Sequence, residues 1–501
     1  MACTPPLTCD YAQKVQLLRA LTRADENEDV HFRPLTVAGR EGMVIYLDGM
    51  ADGAVIARCV IFPCQRAAPP PEGGDMADHL QNTVLPVEAV NHTMHAEQVL
   101  DSVFSGDAAL LCPGMEGALL FDVKGFTHRP LGQPTGETVL TGSHEGFNES
   151  LKDNLVLLRR MMHTPELICE TLTVGDRIPK KMALVFLASA APAETVAEMR
   201  RRLRLCRTDY VADMGVLEQL LEDQPFALLP QALATERPDR ACSFLVEGQL
   251  ILLMENAPYA LVMPCTLTHQ YHSPDDTSLR WQYGSFLRLI RLAGMLLSLT
   301  LPALYIALSL FHIEGMPVSL MTSVLEGQSR VPLSLFFSMV LMMLVFNLIN
   351  EASARVPGIL GSGVSIVSGL ILGQAAITAD LVSPLVIVVV ALSGLGCYTA
   401  PNYALTLSLL IAQLFLLILA GLMGLVGLIG GLFFLAVQAC GLQSLGYPAA
   451  LPVSPVRPAN PDTVLRLPIW RQRLRGALAS PRHMRRVDGS MRAWAQHGRR
   501  K

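Results

Sequence analysis

Charge is what this 501-residue chain has least of. Only 16% of its residues are Asp, Glu, Lys or Arg, and from Leu381 to Val456 there is none. With 51% apolar residues and a mean hydropathy of +0.38, that scarcity excludes an ordinary soluble protein over the whole length. The opening MACTPPLTCDYAQKV has no apolar core, so no cleaved signal peptide is expected. The eleven cysteines include no CxxC pair and suit reduced thiols used as small apolar side chains, not a disulfide framework. No Walker, Rossmann or catalytic-triad pattern is present, so neither enzymatic chemistry nor a cofactor is expected. His92 and His95 in NHTMHAE lack a third ligand nearby, which argues against a metal.

What charge there is lies in blocks. From Gly441 to Lys501, eleven arginines and one lysine face only Asp462 and Asp488. Residues 285–440 balance Arg288, Arg291, Arg330 and Arg355 against Glu314, Glu326, Glu351 and Asp380, so the acidic excess belongs to residues 1–284. Between the acidic and basic blocks stand runs long enough to cross a hydrocarbon core of about 30 Å. They include 292–311, 331–350, a glycine-rich stretch at 356–379 that spans or re-enters, and the uncharged run from Leu381, broken at Tyr398–Tyr403 and again in GLMGLVGLIGG. The pattern predicts about six hydrophobic segments, four to six of them spanning. Arg280, Arg288 and Arg291 before the first span and the basic tail after the last place both ends in the cytoplasm, which requires an even number of crossings. Glycines at 369 and 373 and at 427 and 431 have the spacing of close helix packing, within one subunit or between subunits of an oligomer.

Ahead of the membrane block, two patches of apolar alternation predict two α/β lobes. One covers 42–62 and 109–124; the other covers 181–188 and 242–264, with VEGQ and ENAP read as hairpin turns. Helical patterns run over 148–163, 193–206 and 214–223, and 65–75 reads as a flexible loop. The domain expectation is a 1–39 extension, a first lobe at 40–130, a linker and connecting helix at 131–164, a second lobe at 165–284, a transmembrane domain at 285–440, and a basic cytoplasmic tail at 441–501. Within TGSHEGFNESLKDNLVLLRR (141–160), Asn148 is the expected N-cap and Glu149 sits in the first turn, where the helix dipole favours an acid.

EGFNESLKDNLVLLRR with TLTVGD, then ATERPDRACSFLVEGQLILLMENAPYALVMP, FLRLIRLAGMLLSLTLPALYIAL, NEASARVPGILGSGVSIVSGLILGQAAITADLVSP and SLGYPAALPVSPVRPANPDTVLRLPIWRQRLRG resemble the A subunits of spore germination receptors, the GerA family. The resemblance spans about residues 40–476. It implies a protein of the inner spore membrane that senses nutrients with B-type permease-like and C-type lipoprotein subunits, oligomerises, and conducts cations. Three departures stand out. Thr141–His144 replaces the family's Arg-Gly-Pro-Arg run, the acidic cluster Asp275–Ser278 lacks the usual aromatics, and the second span, VPLSLFFSMVLMML, lacks the usual glutamates. Two other functions stay open: a non-sensing family member that amplifies ion or dipicolinate release, and a secondary transporter, against which no inverted repeat is visible.

Candidate sites follow from charge in costly places. Glu351 and Arg355, four apart after the second span, and Asp380, between two apolar segments, are candidates for gating or coupling, or else anchor helix ends. Glu236, Arg237 and Asp239 in TERPDR, read as preceding a strand, and Glu145, Asn148 and Glu149 are candidates for interdomain or interface contacts, or else a structural ion pair and a cap. The basic tail fits lipid rather than nucleic acid because it directly follows a membrane block.

Overall fold

The alternating apolar runs of the N-terminal half fold into two antiparallel sheets. The computed structural model describes residues 7, 10–70, 75–87, 89–125, 137, 142–356, 359–457, 460, 462–478, 484–486 and 491, with 354 and 359–368 described by backbone. The chain divides into two compact units. Unit 1 is Met1–Glu222, Ala232–Pro264 and Leu474–Asp488; unit 2 is Asp223–Gln231, Cys265–Arg473 and Gly489–Lys501.

In unit 1, β1 (Val30–Val37), β2 (Arg40–Leu47), β3 (Val90–Thr93), β4 (Ala108–Leu111) and β5 (Ala118–Phe121) form a sheet in the order β1-β2-β4-β5-β3. Five later strands repeat that order as β6-β7-β9-β10-β8: β6 (Leu167–Val174), β7 (Lys180–Leu187), β8 (Leu233–Thr235), β9 (Leu250–Met254) and β10 (Ala260–Met263). Helices recur in matching places. α1 (Tyr11–Leu21) precedes the first sheet and α2 (Ala96–Phe104) joins β3 to β4; α3 (Leu151–Met161) precedes the second sheet, α4 (Ala193–Leu205) and α5 (Met214–Leu221) follow β7, and α6 (Pro238–Val246) joins β8 to β9. The period-two rule explains the packing. Along β2, Val44 enters one core with Val37, Leu110 and Phe121, while its neighbour Ile45 enters the other with Val99 and Val103 of α2. The central strands β4 and β5 are covered on both faces and are accordingly apolar throughout. Burial pushes the Cys64, Cys169 and Cys242 thiols up to about 12, which fits their use as inert packing groups.

Three local expectations need correction. Of the 42–62 patch only 42–47, the later part of β2, is named strand; 53–66 is a run of helical turns started by Asp52, whose carboxylate accepts from the Ala54 and Val55 amides. ENAP does turn a hairpin between β9 and β10, with Asn256 in the left-handed region, but VEGQ joins helix α6 to β9. TERPDR runs from the last residue of β8 into the first turn of that helix rather than preceding a strand. Of the linker stretches, 71–74, 126–136 and 138–141 lie outside the described residues.

Unit 2 holds the apolar helices: α7 (Trp281–Phe311), α8 (Val318–Ser329), α9 (Leu335–Arg355), α10 (Ile359–Thr378), α11 (Pro384–Cys397) and α12 (Tyr403–Gly441). Among the described residues, α7, α9 and α12 are long and apolar enough to cross a membrane, and α11, at 14 residues, is shorter. α7 and α11 meet closely: a Cβ on Gly396 would stand 2.3 Å from the Gly294 carbonyl oxygen. Large apolar side chains such as Leu297, Phe337, Leu344, Leu370 and Phe433 remain exposed, as on a surface that faces lipid or another chain.

At 39 residues α12 would be about 58 Å long if straight, far beyond a bilayer core. It is a hairpin. Gly424 (φ 63°, ψ −139°) breaks the helix, and Phe415 and Phe434 then meet with ring centroids 5.6 Å apart, where a straight helix would separate them by about 28 Å. A Cβ on Gly427 would lie 2.1 Å from the Leu419 carbonyl oxygen, and one on Gly431 would lie 2.5 Å from Leu416. This glycine pair therefore serves packing inside the chain, whereas Cβ atoms on Gly369 and Gly373 would meet nothing within 4 Å.

Candidate functional site

The densest charge cluster of unit 2 lies around the start of α7. Asp276 is fully buried, and its Oδ2 accepts from Arg288 Nε at 2.8 Å and Arg291 Nη1 at 3.2 Å. Arg288 is 1% exposed and also donates from Nη1 to Asp462 Oδ1 at 2.6 Å and to the Thr463 carbonyl at 3.3 Å. Arg291 reaches the Tyr271 carbonyl at 3.1 Å, and Tyr271 donates its hydroxyl to the Arg288 carbonyl. Arg466 adds bonds to the carbonyls of Leu279 (2.6 Å) and Thr277 (2.9 Å). Residues 271–291, before and at the base of the first long apolar helix, are thus fastened to 462–466, beyond the last. Burial alone would raise the Asp276 carboxyl; hydrogen bonds and charge from Arg291 and Arg288 outweigh it and hold the group below its ordinary value. His272 is driven the other way, down to about 3, by burial first and by the Arg288 charge second, while its Nε2 bonds the Thr463 carbonyl at 2.7 Å.

A second contact set involves residues 223–231, which the sequence places between α5 and β8 of unit 1 and which belong to unit 2. Gln231 is buried; its Oε1 accepts from the Asp223 and Gln224 amides and its Nε2 returns to the Gln224 carbonyl at 2.6 Å, closing the segment into a loop. That loop holds both feet of the α12 hairpin. Ser408 donates to the Leu228 carbonyl at 2.7 Å near one foot, and Gln224 Nε2 donates to the Gly441 carbonyl at 3.0 Å at the other. Ser444, just past the hairpin, donates to the Gln231 carbonyl at 2.6 Å and accepts from the Cys265 amide.

The sequence-derived candidates fall in separate places. Glu351 and Arg355 pair with each other at the end of α9, largely exposed. Asp380 (φ 53°) lies in the α10–α11 turn, on a cavity with Glu326 and Arg330. In unit 1, Arg237 is buried and pairs with Asp239 through Nη2 at 2.7 Å, and Glu236 donates its amide to Glu137 at 3.2 Å. Glu145 faces Arg160 at 3.6 Å, and the Glu149 carbonyl accepts from the Asn256 amide at 2.7 Å. Asn148 is not the helix cap. Ser150 is, accepting from the Asp153 amide, while Asn148 accepts from the Ser150 amide one step earlier.

A sequence profile of the family described as Bacillus/Clostridium GerA spore germination protein matches residues 17–478. The chain belongs to the GerA spore germination family. Spore germination protein B1 of Bacillus subtilis (strain 168) is 34% identical over 453 residues, covering 88% of this chain and 92% of that protein. Spore germination protein GerLA of Bacillus cereus is 29% identical over 429 residues, covering 85% and 87%. The crystal structure of the N-terminal domain of the A subunit of the Bacillus megaterium spore germinant receptor GerK3 aligns at 22% identity and a TM-score of 0.39, over 52% of this chain and 97% of that one.

For this GerA-family chain the missed residues are the buried ones. Arg288 and Arg291 count as topology signals in a sequence reading, but the fold neutralises them with Asp276 and Asp462. Arg159 is the counterpart in unit 1. It is 2% exposed on α3, pairs with Asp29 at 2.7 Å, and donates to Asn27 at 3.0 Å, tying the second lobe's leading helix to the loop before β1. No sequence spacing announces a pair 130 residues apart.

Proposed function

We infer that the protein is an A-subunit-like component of a nutrient germinant receptor in the inner membrane of the spore, acting with B-type permease-like and C-type lipoprotein subunits. Membership of the GerA family over residues 17–478 carries this reading. Its membrane domain crosses six times, through α7, α9, α10, α11 and the two arms of α12. The even number is supported by the folding of 474–488 into the same unit as the N-terminal lobes: the Gly476 amide and Arg486 bond Glu247, and Arg475 donates to the Val246 carbonyl at 2.6 Å. Segments flanking the membrane block that share one folded unit lie on one side of the bilayer. The basic flanks make that side the cytoplasm.

The proposed mechanism uses the Asp276–Arg288–Asp462 cluster and the 223–231 loop as couplers. Germinant binding in a partner subunit favours an arrangement of the α12 hairpin that opens a path for monovalent cations through an oligomer. It does so only to the extent that ligand binds the open arrangement more tightly. A second reading, an amplifier of ion or dipicolinate release, is favoured by one observation: the first half of α9 (LFFSMVLMML) carries no acid. Dipicolinate release from spores of the native host lacking the gene, exposed to amino acids, sugars and bile salts, separates the two. Loss of response to one nutrient class establishes a receptor subunit, uniform slowing across all classes an amplifier, and an unchanged response to every class overturns both.

A further inference from the structure

From Gln224 to Thr235 the chain carries no charge, and the largest apolar group of that stretch packs on nothing among the described residues: Phe226 is 101% exposed. Its exposure is built in. The Ala227 amide donates to the Gln224 carbonyl at 3.0 Å, which closes a tight turn with Pro225 and Phe226 at its tip. Proline at the first of those two positions presets the backbone for such a turn. Buried Gln231 then ties the end of the loop to its beginning, so the ring stands on a fixed support.

The α12 hairpin sets the level of that tip. Its first arm, Tyr403 to Met423, is about 31 Å long as helix, which matches the thickness of a hydrocarbon core with no turn to spare. Ser408, which bonds the Leu228 carbonyl, stands about 7.5 Å up that arm, and Gly441, which accepts from Gln224, ends the other. The loop therefore lies against the outermost turns of the hairpin, at the depth of about 5–10 Å that interfacial segments reach. Irregular backbone at that depth needs partners within the protein. The loop has them. Pro225 and Pro230 carry no N–H, and the Asp223, Gln224 and Ala227 amides are bonded. The carbonyls of Gln224, Leu228, Pro230 and Gln231 accept from Gln231, Ser408, Gln270 and Ser444. Tyr403, Leu407 and Ile411, at i, i+4 and i+8, keep one face of the same arm exposed, so apolar surface already runs up from the foot of the hairpin.

We propose that residues 224–231 form a membrane-anchoring loop, which seats Pro225 and Phe226 between the headgroups and acyl chains of the leaflet at the feet of the α12 hairpin. The proposal rests on the membrane reading of α12 and is independent of the receptor assignment. The contact is apolar and needs no lipid of particular charge, whereas the basic tail draws on anionic headgroups.

Tryptophan at two positions tests it in the full chain reconstituted into phosphatidylcholine vesicles, the readout being the emission each variant adds to that of the parent. Phe226→Trp keeps the fold, because nothing among the described residues packs on Phe226, and Ile411→Trp reports on α12 about 12 Å from its foot. The emission added by Phe226→Trp is quenched more by lipid brominated near the headgroup than by lipid brominated near the chain end. That added by Ile411→Trp is quenched in the opposite order, and phosphatidylglycerol mixed into the vesicles changes neither. With Ile411→Trp quenched, added emission from Phe226→Trp at the wavelength of water and untouched by either bromolipid overturns the anchor and leaves α12 in the membrane. Emission shifted to the blue but unquenched puts residue 226 against a second copy or another protein and overturns it as well. Quenching that appears only with phosphatidylglycerol assigns the contact to the basic tail, which also overturns the loop. If neither variant is quenched, the membrane reading of α12 falls and the anchor falls with it.

Discussion

Two arginine–carboxylate pairs in the membrane unit look alike in composition and differ in almost everything else. Glu351–Arg355 is a neighbouring pair on one helix, its side chains 57% and 78% exposed. Arg288 joins Asp276 and Asp462, twelve and 174 residues away, with the Arg288–Asp276 pair out of contact with water. Spacing announces the first and hides the second, yet the energetic consequence runs the other way. An exposed pair gains little because water screens it, whereas a desolvated charge must keep its partner.

The largest expected effect therefore comes from breaking the buried cluster. Asp276→Asn leaves Arg288 and Arg291 without their shared carboxylate and is expected to cost about 3–5 kcal/mol in unit 2. Full-length protein in detergent would show it as a lower Tm and poor recovery. The sharper variant replaces all four charges, Asp276→Leu, Arg288→Met, Arg291→Met and Asp462→Leu, so that no partner is left stranded. If the cluster acts only through desolvation balance, the fourfold variant recovers much of the loss; if it couples the span to 462–466, stability returns while germination does not.

Next in size is the same break in unit 1. Arg159→Met strands Asp29, which is partly exposed, so the cost is smaller, about 2–3 kcal/mol. Limited proteolysis between the lobes would report it, with cleavage rising near residues 22–29 and 160–166. Gly424→Ala follows, at about 1–3 kcal/mol. The backbone there is left-handed, and the new Cβ would meet Phe311 at 2.9 Å. A helical hairpin that opens would separate Phe415 from Phe434, so a cysteine pair at those positions cross-links in the parent and not in the variant.

Acid sharpens the contrast between the units. His272 in unit 2 is held neutral, down to about 3 from 6.5, so the unfolded chain takes a proton first. Its contribution is whole above pH 6.5 and is lost as pH falls toward 3. Glu218 in unit 1 is pushed up to about 7 from 4.5 by burial first and Glu222 second. Its contribution is whole below pH 4.5 and is lost as pH rises toward 7. His272→Gln, which keeps a donor for Thr463, should flatten the acid side of the unit 2 melting profile and leave unit 1 unchanged.

What the sequence disclosed follows the same division between near and far. Apolar length found α7, α9 and the α12 run, and alternation with a polar turn found the β9–β10 hairpin, because those signals are local. The cap moved from Asn148 to Ser150 because both residues can accept an amide and only the backbone path chooses between them. VEGQ failed as a hairpin because CSFLV, short and mostly apolar, fits strand or helix equally by pattern. The topology repeated by the two sheets, the folding back at Gly424 and the Asp276 cluster all depend on residues far apart in the chain.

The smallest expected effect tests the pair that spacing selected. Glu351→Gln removes an exposed i,i+4 interaction worth about 0.3–0.5 kcal/mol, within the error of a single melt. Stability alone therefore cannot reveal a role for it; germination rate can. A pair that merely anchors the end of α9 leaves dipicolinate release unchanged in Glu351→Gln spores, and charge reversal of both residues together is equally silent. A pair that takes part in gating changes the release rate in the single variant, and the double reversal restores it because the attraction is rebuilt with opposite signs. Silence in both variants would leave Asp380 as the sole gating candidate from the sequence.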